Sequence, residues 1–235
     1  MINTEGESDA PKTVTEAVYR RVRTDILWGR LPPGTPLKSN DLRGRYEVGI
    51  SPLREALSRL ASERLVISSG QRGFRVAPID EESICDISQT RLVIEHAALK
   101  KSIEEGDVDW ETRVVATHHA LSRVPIPRKP GQEAETWTRH HRAYHMALIS
   151  ACGSQWQMHI AGLLFDQAER FRIIRAKEIS FKKDERDPAK EHHQILEAVL
   201  DRDVSSAVKA LEQHYRSTMN VAIEALVEEG DLEIG

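Results

Sequence analysis

The sequence predicts a mainly α-helical protein in two parts, a small unit of three helices and a β-hairpin followed by an all-α bundle of about six helices. Apolar residues recur at helical spacing along most of the 235 residues,. The β-prone runs are short and lie close together, separated by glycines,. Charge also divides the chain, because residues 1–79 carry a net charge of +4 and residues 80–235 carry −8. We therefore expect two domains, 1–79 and 80–235.

Composition indicates a soluble globular chain. Hydrophobic residues make up 40% and charged residues 30%, which allows a packed core,. No apolar run approaches the roughly 18 residues of a membrane span, and the amino-terminal sequence is polar rather than signal-like. We expect a cytoplasmic protein without membrane contact. Cys85 and Cys152 form neither a disulfide framework nor a metal knuckle, so we assign them no role,.

The first helix is expected over residues 14–28. Thr13 and Glu16 have the spacing of a capping box,. Apolar side chains then recur every fourth residue, at Val14, Val18, Val22 and Ile26,. Residues 31–36 cannot continue the helix, because their prolines lack an amide donor and restrict the residue before them,. We expect an extended connector there.

Two further helices come next, with a tight turn between them. Ser39 is the predicted N-cap of the second helix, which ends near Tyr46,. Ser51 is the predicted N-cap of the third helix, with Pro52 at its first position,. The apolar residues of the third helix form one stripe and leave Arg54 toward solvent,. This arrangement predicts a helix-turn-helix.

A β-hairpin from residues 65–67 and 74–76 completes this unit as a wing,. A winged helix inserts the amino-terminal end of its third helix into the major groove of double-stranded DNA. We therefore expect DNA contacts from Ser51 and Arg54 on the third helix and from Arg72 at the tip of the wing. The net charge of +4 agrees with DNA binding but is weak evidence by itself,.

This amino-terminal domain resembles the DNA-binding domain of GntR-type bacterial transcription regulators. The run SPLREALSRL at residues 51–60 and the wing arginine Arg72 carry the resemblance, which implies DNA contacts by Arg54 and Arg72. Ile50 and Asn40 stand where members of the family have contact arginines. We therefore expect a different operator or a greater reliance on phosphate contacts. The candidates for phosphate contacts are Lys38, Arg43 and Arg45.

The second domain is predicted to be an all-α bundle. Glycines, prolines and short polar turns separate its helical patterns,. All 10 histidines of the chain lie in this domain, which indicates a task different from that of the basic first domain. The predicted helices cover residues 83–104, 109–123, 133–152, 155–178, 187–201 and 203–228.

Four of the histidines have the spacing of a metal site. His141 and His145 stand four apart on one helix, so their rings project from the same face,. His192 and His214 lie roughly 15 and 18 Å from the turn that joins the last two helices, so they can face each other in an antiparallel pair. Imidazoles that converge in this way suit a divalent ion, and we expect zinc or nickel.

The same histidines resemble the metal-binding pattern of the FadR-like FCD effector domain that many GntR-type regulators carry. His145, His192 and His214 match the pattern, whereas His141 stands where the pattern has an aspartate. This exchange raises the charge of the site by one unit. A softer ion, a more firmly bound anion, or a His141 that does not bind the ion would each be consistent with it.

Three functions agree with these features. The leading hypothesis is a homodimeric transcription regulator, not an enzyme, in which an effector shifts the protein between states that bind operator DNA differently. The resemblance implies a small organic acid as effector, with Arg91 as its cationic partner; a helix pair of Arg91 with Glu95 is the alternative. A purely structural metal site in a constitutive DNA-binding protein remains open. A metal-dependent hydrolase is disfavoured, because no glutamate stands at the spacing of a general base such as HExxH.

Overall fold

The chain separates into two compact units, Met1–Pro78 and Ile79–Gly235. The part of the chain that the structure describes is mainly helical, with nine helices and three short strands, and each unit has its own hydrophobic core. The structure is a computed structural model that describes residues 11, 13–68, 73–127, 132–178 and 186–232. The predicted mainly α fold is confirmed.

The first unit consists of three helices and a small antiparallel sheet. Its elements are α1 (Val14–Leu27), β1 (Pro36–Leu37), α2 (Ser39–Tyr46), α3 (Ile50–Ser62), β2 (Val66–Ser68) and β3 (Phe74–Val76). The predicted helix-turn-helix and hairpin wing are therefore both present. Strand β1 was predicted only as an extended connector, but it pairs with β3, with Leu37 opposite Phe74. The strand order is β1-β3-β2, so β3 is the central strand.

The helix starts of this unit correct two sequence predictions. Thr13 caps α1 as predicted, because its side chain accepts a hydrogen bond from the backbone of Glu16 at 3.0 Å. Ser39 and Ser51 do not act as N-caps. Each helix begins one or two residues earlier: the Lys38 carbonyl already accepts from Leu42 at 3.1 Å, and the Gly49 carbonyl accepts from Leu53 at 3.4 Å. Lys38 and Gly49 are therefore the capping residues,.

The predicted apolar stripe of α3 forms the centre of the first core. Leu53, Ala56, Leu57 and Leu60 are fully buried. A buried carboxylate ties the helices together on another side of this unit. Asp25 of α1 accepts hydrogen bonds from Tyr46 at 2.7 Å, Arg45 at 2.8 Å and Arg30 at 3.0 Å. Burial of an ionised carboxylate is tolerated here because cationic and hydroxyl donors surround it.

The described part of the second unit forms a bundle of six helices, in agreement with the prediction. They are α4 (Glu81–Glu105), α5 (Val108–Ser122), α6 (Gln132–Leu148), α7 (Gln155–Glu178), α8 (Pro188–Leu200) and α9 (Val204–Leu232). Helix α4 starts earlier than the predicted Ser83, because Asp80 and Ser83 exchange the two hydrogen bonds of a capping box,. Helix α6 ends at Leu148, four residues before its predicted end, and the turn after it closes at Gly153 with φ of 68°,.

The interior of the bundle combines large apolar side chains with ionisable ones. Trp110, Tyr144 and Ile195 are fully buried in its core. Histidine, arginine and glutamate side chains are buried in the same bundle, namely Arg91, Glu95, His145, His192 and His214. Such groups require partners inside the protein. Among the described residues, none of the helices is both long enough and apolar enough to cross a bilayer.

Candidate metal centre

The structure brings the four predicted histidines together inside the bundle. One ring nitrogen from each of them lies within 4.8 Å of the others. The ring centroids are separated by 4.5 Å between His141 and His145, 4.6 Å between His192 and His214, and 6.3 Å between His141 and His214. Ligand nitrogens around tetrahedral zinc lie about 3.3 Å apart, so small side-chain movements suffice to close the group around an ion.

Three helices position these rings. His141 and His145 are one turn apart on α6 and therefore share a face,. The short turn at residues 201–203 reverses the chain between α8 and α9, with Arg202 in the left-handed region at φ of 56°. This reversal places His192 of α8 opposite His214 of α9, at the similar heights that the sequence predicts,.

Outer hydrogen-bond partners orient two of the four rings, those of His214 and His145, through their Nδ1 atoms. His214 Nδ1 donates to Glu191 at 2.6 Å, and His145 Nδ1 donates to the hydroxyl oxygen of Tyr215 at 3.2 Å. His141 Nδ1 lies 3.3 Å from a carboxylate oxygen of Glu169. An imidazole that holds its proton on Nδ1 presents the lone pair of Nε2, which is the atom needed by an ion in the centre.

Burial favours the neutral form of His145, His192 and His214. It lowers the pKa of His145 and His192 well below the usual value, with further contributions from the neighbouring rings. Burial also lowers the pKa of His214 to about 4, although Glu191 acts in the opposite direction. Among the described residues, no hydrogen-bond partner reaches the buried Nε2 atoms of His145 and His192. Neutral rings with unsatisfied nitrogen atoms fit a divalent cation, which would use these lone pairs.

A small cavity of about 50 Å³ adjoins the histidines. This volume holds a few water molecules or a small anion. Cationic, acidic and apolar side chains all contribute to its wall, so the cavity is chemically suited to a small polar molecule. Besides three of the histidines, its lining includes Arg91, Trp137, Glu169, Arg186, Tyr215 and Thr218.

Arg91 lines this cavity and also forms the helix pair that was its alternative role. Its Nε donates to Glu95 at 2.8 Å, and its Nη2 donates to the hydroxyl of Tyr215 at 2.7 Å. The Tyr215 hydroxyl donates in turn to the second oxygen of Glu95 and accepts from His145. Arg91 is thus linked through Tyr215 to His145, one of the candidate metal ligands.

Sequence reasoning missed the side chains that support the histidines. Arg186 donates a hydrogen bond of 2.7 Å to each carboxylate oxygen of Glu191. Glu191 in turn accepts a hydrogen bond from His214 Nδ1. The position of Glu191 directly before the candidate ligand His192 is a sequence signal that could have identified Glu191. Arg186 lies outside the helices, and Glu169 is brought to His141 by the packing of α7 on α6, so no local spacing in the sequence marks either of them.

The predicted DNA-contacting residues of the first unit lie mainly on its surface. Lys38, Arg43, Ser51 and Arg54 are exposed, and Arg54 is in the second turn of α3. Arg45 is committed in part to Asp25, yet 43% of its side chain remains exposed. Ile50, which occupies the position of a family contact arginine, is also exposed at the start of α3. Arg72 lies outside the described residues.

A helix-turn-helix with a wing, followed by an all-α unit with a buried imidazole cluster, defines a bacterial DNA-binding transcription regulator. Residues 14–76 match the family of bacterial regulatory proteins named gntR, and residues 86–217 match the FCD domain. The chain therefore belongs to the GntR family of transcription regulators and carries an FCD domain. Regulation of transcription, and not enzymatic catalysis, is the function of this family and of the relatives found.

Relatives and solved structures agree with this assignment. The chain is 36% identical to the uncharacterized HTH-type transcriptional regulator BphR of Paraburkholderia xenovorans (strain LB400), over 89% of this chain and 85% of that protein. It is 33% identical to the HTH-type transcriptional repressor GlaR of Escherichia coli (strain K12), over 88% and 95%. The structure of E. coli McbR/YncC superimposes with a TM-score of 0.74 at 17% identity, over 90% of this chain and 98% of that chain, and so supports the fold.

Proposed function

We propose that the protein is a homodimeric regulator in which a small organic acid binds beside a metal ion and thereby changes the affinity for operator DNA. The observation that carries this proposal is the group of four buried imidazoles beside a cavity that two arginines line. A divalent ion, zinc or nickel, would be held by His141, His145, His192 and His214. When bound, it supplies a positive charge that attracts a carboxylate.

Arg91 is our candidate for a second attachment of the effector. It is buried and lines the cavity, and its guanidinium is fixed by Glu95 and Tyr215. Through the Tyr215 hydroxyl, a shift of Arg91 would reach His145. The effector acts only if it binds the two states of the protein with different affinity, which is a population shift.

The DNA contacts are proposed for the first unit. Arg54 is exposed beyond the start of α3 and would reach base edges in the major groove, with Ser51 at the amino-terminal end of the same helix,. Phosphate contacts would come from Lys38, Arg43 and Arg45, and Arg72 would contact a neighbouring phosphate or the minor groove. Two copies of the chain would place two such helices on a pseudo-palindromic operator. Bacterial DNA lies in the cytoplasm, so a protein that binds an operator would work there.

Repression is the direction we propose for this regulation. The relative GlaR is a transcriptional repressor by name. If this chain also represses, effector binding should release it from the operator.

Metal analysis of the purified protein tests the centre of the proposal. We expect one divalent ion per chain, and we expect His192→Ala to remove most of it. His193→Ala is the matched control, because His193 is the next residue of α8 but its side chain is 57% exposed. Full metal occupancy in the His192→Ala protein would contradict the ligand set.

Calorimetric titration of organic acids into the metal-loaded protein tests the effector. Operator duplexes selected from a random DNA library serve as the second readout, through the change in fluorescence anisotropy on release. We expect an acid that binds the protein to lower its DNA affinity. If metal is present and no acid binds, the metal site is structural and the protein binds DNA constitutively.

A further inference from the structure

An exposed isoleucine begins the helix that carries the candidate base contacts. Ile50 is the first residue of α3, and 43% of it is exposed to solvent. The buried stripe of this helix begins only at Leu53, and the capping residue Gly49 has no side chain that could cover Ile50. Single apolar residues are common on protein surfaces, so the position of Ile50 on the helix decides what it can do.

The exposed side chains of α3 lie on two different faces. Glu55 and Arg59 make hydrogen bonds of 3.2 and 2.6 Å with side chains in the first turn of α1. Ile50 and Arg54 are four residues apart and exposed, so they share a face,. At about 100° per residue, that face lies roughly 100 to 180° around the helix axis from Glu55 and Arg59. Ile50 therefore belongs to the same surface as Arg54 and not to the surface that packs on α1.

This surface is the one that a helix-turn-helix turns toward the bases. The recognition helix of the motif, here α3, enters the major groove with its amino-terminal residues at the base edges. Ile50 stands one helical turn before Arg54, which is about 5.4 Å along the helix axis. Successive bases of a strand are about 3.4 Å apart. The two side chains would therefore reach base pairs that are one or two steps apart.

The chemistry of the isoleucine side chain limits which base it can read. In the major groove thymine presents a methyl group, whereas cytosine presents an amino group and the purines present N7. Isoleucine has no side-chain donor or acceptor, so contact with those polar atoms would remove water from them without a replacement. Contact with the thymine methyl group instead buries apolar surface on both partners. An arginine at this position would favour guanine.

We propose that Ile50 contacts the methyl group of a thymine in the operator, one or two base pairs from the base that Arg54 reads. Ile50 is thus a specificity-determining residue of the DNA-binding surface. The contact rests on the DNA-binding part of the proposed function and extends it by naming a base and the residue that selects it. It is independent of the metal ion and of the effector.

Replacement of single thymines by uracil in a selected operator tests this contact. Uracil lacks only the methyl group and still pairs with adenine. Fluorescence anisotropy with the metal-loaded, effector-free full chain measures the affinity for each duplex. We expect the wild-type protein to bind about three- to fourfold more weakly when the contacted thymine is replaced, which is the loss for about one buried methyl group. Ile50→Ala should bind the thymine and uracil forms of that operator equally well.

Two further variants show whether the effect belongs to Ile50. Ile50→Val keeps a branched apolar side chain and should keep most of the sensitivity to the methyl group. Val14→Ala is the matched control, because Val14 is likewise the first residue of a helix in this unit and is 64% exposed. It should keep the full sensitivity of the wild-type protein.

Failure of the contact can be distinguished from failure of the proposed function. If no duplex can be selected from the library, the DNA-binding part of the proposed function fails. If an operator is bound but no uracil replacement weakens binding, or if Ile50→Ala keeps the wild-type sensitivity, the thymine contact is wrong. Equal weakening of Ile50→Ala on thymine, uracil and scrambled duplexes, relative to wild type, would also overturn it, and would assign Ile50 to the placement of α3.

Discussion

Single residues of the candidate metal centre lie beside neighbours that carry charge or a hydroxyl. Glu191 holds His214, Tyr215 holds His145, and Glu169 lies beside His141. The Glu169 carboxylate lies 3.3 Å from Nδ1 of His141, the histidine that stands where the family pattern has an aspartate.

We predict that Glu191→Gln lowers the metal affinity about 10- to 100-fold, because His214 loses an acceptor that fixes its ring and raises its basicity. Competition with a chromogenic chelator measures the change. Glu197→Gln is the control, since Glu197 is on the same helix, 62% exposed and paired with the surface residue His193. An unchanged affinity in Glu191→Gln would show that the carboxylate does not support the ion.

Arg54 is the residue that we expect to contribute most clearly to recognition of the operator sequence. Arg54→Ala should weaken binding to a selected operator about tenfold or more and relax its sequence preference, because a bidentate contact with guanine contributes about 1–3 kcal/mol of discrimination. Fluorescence anisotropy with selected and scrambled duplexes measures both effects. Arg113→Ala, an exposed arginine of α5, should change neither. Equal weakening on both duplexes would instead assign Arg54 to phosphate contacts.

The histidine ligand candidates were predictable from sequence, whereas most of their partners were not. Two imidazoles four apart on a helix share a face by geometry, and two others at similar distances from a turn face each other. Arg186 and Glu169 reach the site through tertiary packing, which leaves no periodic signal. Arg91 was identified, but only the structure shows that its pairing with Glu95 and its place in the cavity wall occur together.

Two elements whose signal was local agreed with the sequence. The apolar stripe of α3 and the capping threonine of α1 are of this kind. Strand β1 is different, because its two residues become a strand only through the edge of β3, far along the chain. The N-caps assigned to Ser39 and Ser51 were wrong because a suitable side chain does not fix where the first carbonyl of the helix is used,.

Asp25 connects elements of the first unit, and its removal tests that connection. Asp25→Ala leaves the buried Tyr46 hydroxyl and the Arg45 guanidinium without their shared acceptor. We expect the free energy of unfolding of this unit to fall by about 2–3 kcal/mol. Amide exchange of α1 as a function of urea measures it. Asp41→Ala, an exposed residue of α2, should cost less than about 1 kcal/mol, and an equal loss in both variants would argue against the role of Asp25,.

The whole molecule combines a basic unit and an acidic unit that have separate cores. The candidate metal ligands all belong to the second unit, and the candidate DNA contacts all belong to the first. This division means that a ligand of the second unit stabilises that unit directly. Any effect on DNA must pass through a change in the state of the whole protein.

Removal of the metal should therefore separate the stabilities of the two units. With the free ion at 100 times its dissociation constant, binding stabilises the second unit by about 2.7 kcal/mol, and a strong chelator removes that contribution. Differential scanning calorimetry should show one transition move to lower temperature while the other stays in place. In the His192→Ala protein the chelator should have little effect. A shift of both transitions together would show that the units unfold cooperatively.

The short turn between α8 and α9 sets a limit on how this chain can vary in length. Each residue added to a helix rotates the rest of that helix by about 100° and advances it by about 1.5 Å. One inserted residue that continued either helix near residues 201–203 would swing His214 away from His192 and Glu191 at once. Insertions and deletions in homologous genes should therefore be rare at this turn, and a repair would need a compensating change in the same helical hairpin.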